Sequence, residues 1–311
     1  MILSVGEILL DMIGKETQTG IDFDSHAGGA PLNVAAQIAK LNGNAYFVGS
    51  IGNDIPGQYL KRYIKTLSLS GYNLEEIKDR NTTLAFVSLS KTGERDFCFY
   101  RENTADYVLP NLKDSFLKAM NIVHIGSLML SKDEGLKYAL ALVEKAKENG
   151  CLISFDVNFR KDIYTSTEEA IVRSKAIMDK ANFIKMSDDE IQIFGQDYFN
   201  NLIKNHHVFL SKGKNGSAYY YGNDVVEVET FVVKPVDTTG AGDAFYGAVL
   251  SQLDKNLNFT LDDIKEILKL GNACGALATL GKGAIAPLAT LEEAKAFLCN
   301  GGKKWNYYLE F

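Results

Sequence analysis

Apolar and polar positions along the chain change period several times, and each change marks an element. Residues 2–5 (ILSV) are a short apolar run and read as a buried first strand. In PLNVAAQIAKLNG, Leu32, Ala35, Ala36 and Ala39 recur at helical spacing, Pro31 suits the first turn and Gly43 the end. YFVGSIG (46–52) is a buried strand, and Asp54 can cap the helix after it, with Pro56 in the first turn. The stretch 20–31 reads as a glycine-containing turn region. TLAFVSLS and RDFCFYR alternate with period two around KTGE, which predicts a hairpin. Segments near 8–26 can join that hairpin in a small antiparallel sheet. From about residue 121, strand and helix patterns alternate: NIVHIGSLML, DEGLKYALALVEKAKENG, CLISFDVN, a helix at 168–181, NFIKMS and HHVFLSKG. That rhythm implies right-handed crossovers and a mainly parallel sheet. SAYYYGNDVVEVETFVV reads as a late hairpin, and helices near 241–254, 261–280 and 291–299 close the chain. The expected fold class is α/β: one domain over 1–311, a central mainly parallel sheet flanked by helices, and a small antiparallel β lid from segments near 8–26 and 84–108.

Composition adds limits. With 46% hydrophobic and 23% charged residues, the 311-residue chain can bury a large core. The net charge of −6 and the lack of a basic tract exclude nucleic acid and anionic membrane as expected partners. No apolar run reaches membrane-spanning length. The opening MILSVGEILLDMIG has no basic flank and carries Glu7 and Asp11, so it reads as a strand rather than a signal peptide, and a cytoplasmic location is expected. Cys98, Cys151, Cys274 and Cys299 form no CxxC pair and are expected to be buried free thiols.

The stretch KPVDTTGAGDAFYGAVLSQL (234–253) carries the chemistry. Gly240, Ala241 and Gly242 let backbone amides approach a ligand closely, and a strong helical pattern follows. Amides at a helix N-terminus favour an anion. A phosphoryl group is such an anion, and its transfer needs positioning and charge stabilisation. Asp243, on the same turn, can accept the proton of an attacking hydroxyl.

DTTGAGD resembles the C-terminal signature of the ribokinase-like, or phosphofructokinase-B, carbohydrate kinases, and GGAPLNVA (28–35) resembles their N-terminal signature. The resemblance runs from the first strand to about Leu291. It implies ATP and a small sugar as substrates, Mg²⁺, and K⁺ as an activator. It also implies Asp243 as catalytic base, Gly240, Ala241 and Gly242 as anion hole, Asp237 and Thr239 beside a K⁺ site, and Asp11, Gly28, Gly29 and Asn33 as sugar contacts. MSDDE (186–190) aligns with the family's Asn-x-x-Glu element, with Ser187 where Asn is usual and Glu190 acting on Mg²⁺ through water. Ser211, Gly213 and Gly216 resemble a loop edging the nucleotide, with Lys212 and Lys214 near it, and Asn272 resembles an adenine-pocket position.

Asn158 and Arg160 follow a buried strand, where open α/β sheets gather ligands, and Arg101 ends a lid strand. With VGEILLDMI and GGAPLNVA these resemble the fructokinase branch, which implies phosphorylation of D-fructose at its C6 hydroxyl. The 2-keto-3-deoxygluconate kinases share much of the pattern, and Arg101 and Arg160 would suit their carboxylate. A nicotinamide dehydrogenase expects GxGxxG after the first strand, and a P-loop enzyme expects GxxxxGK[ST]; the chain has neither. A non-catalytic sugar-binding relative would not need Asp243. The alternating faces of the 84–101 hairpin suggest a homodimer packed lid on lid.

Overall fold

Ile2 faces one hydrophobic cluster, and Leu3 and Val5 face another, so the first strand is buried on both sides of its sheet. The computed structural model describes residues 1–89 and 95–302. Its strands are β1 (Ile2–Val5), β2 (Leu9–Glu16), β3 (Ile21–Gly28), β4 (Ala45–Gly52), β5 (Gly71–Ile77), β6 (Leu84–Leu89), β7 (Arg95–Tyr100), β8 (Ile122–Ile125), β9 (Leu152–Asp156), β10 (Phe183–Ser187), β11 (His207–Ser211), β12 (Ser217–Tyr221) and β13 (Asp224–Val228). Its α-helices are α1 (Ala30–Lys40), α2 (Ile55–Tyr63), α3 (Asp114–Leu117), α4 (Asp133–Glu148), α5 (Thr167–Met178), α6 (Asp188–Phe194), α7 (Gln196–Leu202), α8 (Ala241–Leu253), α9 (Leu261–Ala278) and α10 (Leu291–Cys299).

Among the described residues, nine strands form one sheet in the order β13-β12-β11-β10-β9-β8-β1-β4-β5. Neighbours from β5 across to β11 are parallel, and β12 and β13 add an antiparallel edge. Residues of α1, α8 and α9 pack on one face, and residues of α4, α5 and α7 on the other. The chain leaves β1 toward β4 and later returns on its other side as β8. That reversal opens a crevice at the carboxyl ends of the strands.

A second sheet runs β3-β2-β6-β7. Its outer pairs are antiparallel hairpins, while β2 and β6 run parallel. The KTGE turn of the second hairpin lies outside the described residues. The stretch expected as a turn at 20–31 is mostly β3, whose first five residues are exposed on both faces and so show no period-two signal. The lid sheet ends at Tyr100, so 101–108 belongs to the body. The polar edge strand β5 and the helices α6 and α7 went unanticipated, and 128–131 is a 3₁₀ turn rather than strand. Cys151 and Cys274 are buried free thiols, but Cys98 and Cys299 are exposed, which corrects the expectation for those two.

Arg101 fastens the small sheet to the body. It is buried, pairs with Asp106 through Nε and Nη2, and donates from Nη1 to the Leu128 carbonyl (2.9 Å) and the Ser131 hydroxyl (3.2 Å). Asp106 also accepts from Thr83 (2.7 Å) and Thr104 (2.6 Å). Removing one partner of a buried pair strands the other charge. Asp106→Asn should therefore lower unfolding stability by about 3–5 kcal/mol, read from urea denaturation. A loss below about 1 kcal/mol would show that the pair does not hold the junction.

Candidate active site

The turn 237–240 is built by its own side chains. Asp237 is buried, and its carboxylate accepts from the Thr239 amide (2.7 Å) and the Gly283 amide (3.0 Å). This ties the turn to the loop near residue 283. Gly240 then takes φ +75°, and a Cβ there would lie 2.7 Å from the Ala284 Cβ. That close approach and the left-handed conformation both require glycine. The helix α8 begins one residue later, so Asp243 sits in its first turn. Gly240, Gly242 and Asp243 line a cavity of about 510 Å³. First-turn helix amides have no intrahelical acceptor, and the helix dipole adds positive potential there.

Asn33 connects this turn to the other wall. Its Nδ2 donates to Asp243 Oδ2 at 2.8 Å, while its buried Oδ1 has no hydrogen-bond partner among the described residues. Two glycines make the geometry possible. A Cβ on Gly28 would lie 2.3 Å from Asp11 Oδ2, and one on Gly29, at φ +116°, would lie 2.4 Å from the Glu7 carbonyl. Asp11, Gly29 and Asn33 all border the cavity. Burial pushes the Asp243 pKa above the ordinary aspartate value, while the Asn33 hydrogen bond, Lys185 and Arg160 pull it down.

Three charged groups escaped the sequence reading: Glu7 and Lys185, which line the cavity, and Asp156 behind Lys185. Lys185 and Asp156 stand opposite each other on β10 and β9 and form a buried ion pair at 3.0 Å. Lys185 Nζ lies 3.1 Å from where a Cβ on Gly242 would be, which puts the ammonium beneath the glycine turn. Burial opposes its charge, yet Asp156, Glu190 and Asp243 outweigh burial and hold its pKa above the usual value. Burial likewise pushes the Asp156 pKa up, against the pull of Lys185. The available signal was a charge inside an apolar strand, in FIKMS and in FDVN; such residues are seldom fully buried unless paired.

Glu190 is fixed by two backbone amides, Phe159 N and Ser187 N, each at 2.7 Å. Ser187 returns a cap to the Glu190 amide (3.3 Å), a capping box that starts α6. Ser187, Glu190, Asn158 and Arg160 line the cavity, and Asn158 turns the chain with φ +36°. Arg101 is not among the lining residues; its guanidinium faces Asp106, Leu128 and Ser131, which departs from the expected sugar contact. The nucleotide-edge candidates lie apart from the cavity lining. The Ser211 hydroxyl donates to the Met186 carbonyl (3.3 Å), Gly213 and Gly216 shape the β11–β12 turn with φ +52° and +94°, and Lys212 pairs with Glu227. Lys214 is exposed in that turn. Asn272 on α9 donates to the Val228 (3.2 Å) and Glu229 (3.1 Å) carbonyls. A Cβ on Gly216 would sit 2.1 Å from the same Val228 carbonyl, so Asn272 and Gly216 converge on the end of β13.

A parallel sheet with a crevice at its switch point, an amide-lined helix start and a carboxylate hydrogen-bonded beside it define a site fit for phosphoryl transfer to a hydroxyl. The family follows from the comparisons: the chain belongs to the pfkB family of carbohydrate kinases, whose model matches residues 1–291. It is 37% identical to a probable fructokinase-5 of Arabidopsis thaliana, over 97% of this chain and 98% of that one. A fructokinase with bound ATP from Xylella fastidiosa superposes with a TM-score of 0.90 at 26% identity, covering 97% of this chain and 99% of that one. The fructokinase of Vibrio cholerae O395, solved with fructose, ADP and calcium ion, gives 0.85 at 29% identity over 96% and 98%. A double mutant of it with fructose, ADP and potassium ion gives 0.85 at 28% over 96% and 97%.

The charge arrangement generates a test. Lys185→Met removes a cation that favours the ionised form of Asp243. The acid limb of the kcat/KM profile should therefore move to higher pH, and turnover should fall by about tenfold or more. An acid limb left in place would mean that Lys185 does not act on Asp243.

Proposed function

We propose that this chain is an ATP-dependent fructokinase that transfers the γ-phosphoryl group to the C6 hydroxyl of D-fructose. The observation that carries the reading is the Asn33–Asp243 hydrogen bond at the glycine turn, with Asp11 in the same cavity wall. Asp243 takes the hydroxyl proton as that oxygen bonds to the γ-phosphorus and the bond to the ADP oxygen breaks. Charge on the phosphoryl oxygens meets the amides of Gly240 and Gly242, with Lys185 and Arg160 at hand, while the Ala241 amide donates to the Thr238 carbonyl at 3.3 Å and shapes the turn. The free Oδ1 of Asn33 and the carboxylate of Asp11 suit sugar hydroxyls, with Gly28, Gly29 and Asn158 giving the backbone close approach. Arg101, engaged with Asp106, offers little to a carboxylate, so the wall favours a neutral polyol over a keto-acid.

Mg²⁺ and K⁺ fit the oxygen donors present. Glu190 would hold water-shelled Mg²⁺, which neutralises phosphate charge when bound. Asp237 and Thr239 would border K⁺, consistent with the potassium-bound Vibrio relative. Ser187 acts through Glu190, and Ser211, Gly213, Gly216 and Asn272 would shape the adenosine end through backbone.

Among the described residues, no helix is long and apolar enough to cross a membrane. A homodimer through the small sheet is supported by its outer aromatic ridge, in which Phe86 packs edge-on against Phe23 (5.1 Å) and Tyr100 (5.0 Å), with Tyr100 62% exposed. Light scattering at micromolar concentration should give twice 34.3 kDa; the monomer mass would remove the dimer.

Steady-state kcat/KM for fructose, ribose, tagatose, adenosine and 2-keto-3-deoxygluconate tests the substrate, and Asp243→Asn tests the base. Fructose should lead the panel. The variant should lose about 10²-fold or more in kcat with ATP and sugar binding retained. A tenfold preference for the keto-acid would overturn fructose and leave the kinase reading intact.

A further inference from the structure

Glu7 has no place in the chemistry described so far, yet it lies inside the site. It lies just past the end of β1, after Gly6, at the switch point between β1 and β8, and is 1% exposed. It lines the cavity with Leu9, Asp11, Asn33 and Leu128. Neither carboxyl oxygen has a hydrogen-bond partner among the described residues. On one side the Glu7 carbonyl lies 2.4 Å from where a Cβ on Gly29 would be, so a glycine gives the backbone its room. On the other side, Oε2 lies 2.9 Å from the position a Cβ on Gly126 would take, so a glycine leaves that oxygen its room.

A buried carboxyl group without a partner is costly unless something arrives to satisfy it. We propose that Glu7 contacts the acceptor sugar directly, its carboxyl group hydrogen-bonding a hydroxyl of the substrate beside Asp11. This inference rests on the sugar-kinase reading and deepens it. Among the other buried side-chain atoms that lack a partner, Asn33 Oδ1 is in the same cavity. Two orphaned polar groups in one cavity wall point to one polyhydroxylated ligand.

The protonation state gives the contact its character. Burial pushes the Glu7 pKa up to about 8, opposed by Arg101 and by the pull of Glu7's own backbone amide, and reinforced by Asp106 and Asp243. Tyr107, over whose ring Arg101 stacks at 4.4 Å, feels Glu7 too, and Asp11 shares the wall. Arg101 does not neutralise Glu7, because its hydrogen bonds go to Asp106, Leu128 and Ser131. At neutral pH Glu7 is thus mostly the acid, one O–H donor plus acceptor lone pairs. A neutral acid can both give and take a hydrogen bond with neighbouring hydroxyls, and it would repel an anionic acceptor only once ionised. Above pH 8 it loses the donor and adds a negative charge beside Asp11.

The experiment compares wild type, Glu7→Gln and Glu7→Leu in kcat/KM for the best acceptor of the panel from pH 6 to about 9.5, spanning the carboxyl titration, together with KM for ATP and thermal midpoints. In the wild type, acceptor kcat/KM should fall as pH rises through about 8. In Glu7→Gln, whose amide does not ionise, that part of the fall should vanish. Glu7→Leu should lose about tenfold or more in acceptor kcat/KM, with KM for ATP within about twofold of wild type. A Glu7→Leu enzyme with wild-type acceptor kcat/KM would overturn the proposal, as would the same alkaline fall in Glu7→Gln. If Glu7→Leu does not fold, the Glu7→Gln profile still decides. Failure of the kinase reading itself would appear differently, as a wild-type enzyme that phosphorylates no sugar of the panel.

Discussion

Three carboxylates and one lysine share the buried ground where β9 and β10 meet the start of α8, and most of the site follows from how that surplus of negative charge is held. Asp156 and Lys185 neutralise each other across adjacent strands. Glu190 is satisfied by two backbone amides. Asp243 has one amide donor, Asn33, and the more distant pull of Lys185 and Arg160. Burial disfavours its ionised form, so it is a stronger base than a solvated aspartate. The residual negative charge is also what a cation-laden phosphate would meet. The same cluster therefore sets the basicity of Asp243 and the demand for counter-charge.

The fold delivers these groups without any one loop carrying the site. The parallel strands end together at the switch point, which gathers Glu7, Asn158 and Ser187 from β1, β9 and β10. The antiparallel hairpin β12–β13 caps one edge of that sheet, and the small sheet rises after β1 to bring Asp11 inward. Arg101 and Asp106 decide how firmly the small sheet is anchored. Such a pair stabilises only while both charges are present, so the junction is held by geometry more than by net gain. Asp237 performs the same service on the opposite wall, where the Thr239 and Gly283 amides hold its carboxylate.

What could be read from the sequence depended on whether a residue's role is local. The glycine turn was legible because left-handed φ at Gly240 and a helix start at Ala241 are properties of a few consecutive residues. The same holds for GGAPLN, where a tight approach and a helix N-terminus coincide. The βα rhythm after residue 121 was legible because both faces of a parallel sheet are apolar. β3 was hidden because its outer half is exposed on both faces, and the polar edge strand β5 for a similar reason. Arg101 looked like a ligand because nothing in RENTADY says that Asp106 folds back five residues onto it. Asp156 and Lys185 were invisible as a pair because they are neighbours only across the sheet. Asn272 was placed by resemblance at a base pocket, yet its amide is engaged by the carbonyls at the end of β13.

Ser187 shows how a departure from a family pattern can be read physically. An asparagine there could extend an amide into the cavity; the serine hydroxyl instead accepts the Glu190 amide at 3.3 Å, while the Ser187 amide holds the Glu190 carboxylate at 2.7 Å. Ser187 therefore acts on the orientation of Glu190. Because side chains in a strand alternate, Lys185 points to the same side of β10 as Ser187, two residues earlier. At that position the sheet carries an ammonium into the space under Gly242. A polar amide on the strand's last residue and a buried cation one pleat earlier are different ways of placing donors at the same end of β10. The cation additionally requires a buried acid opposite it, and Asp156 on β9 fills that requirement.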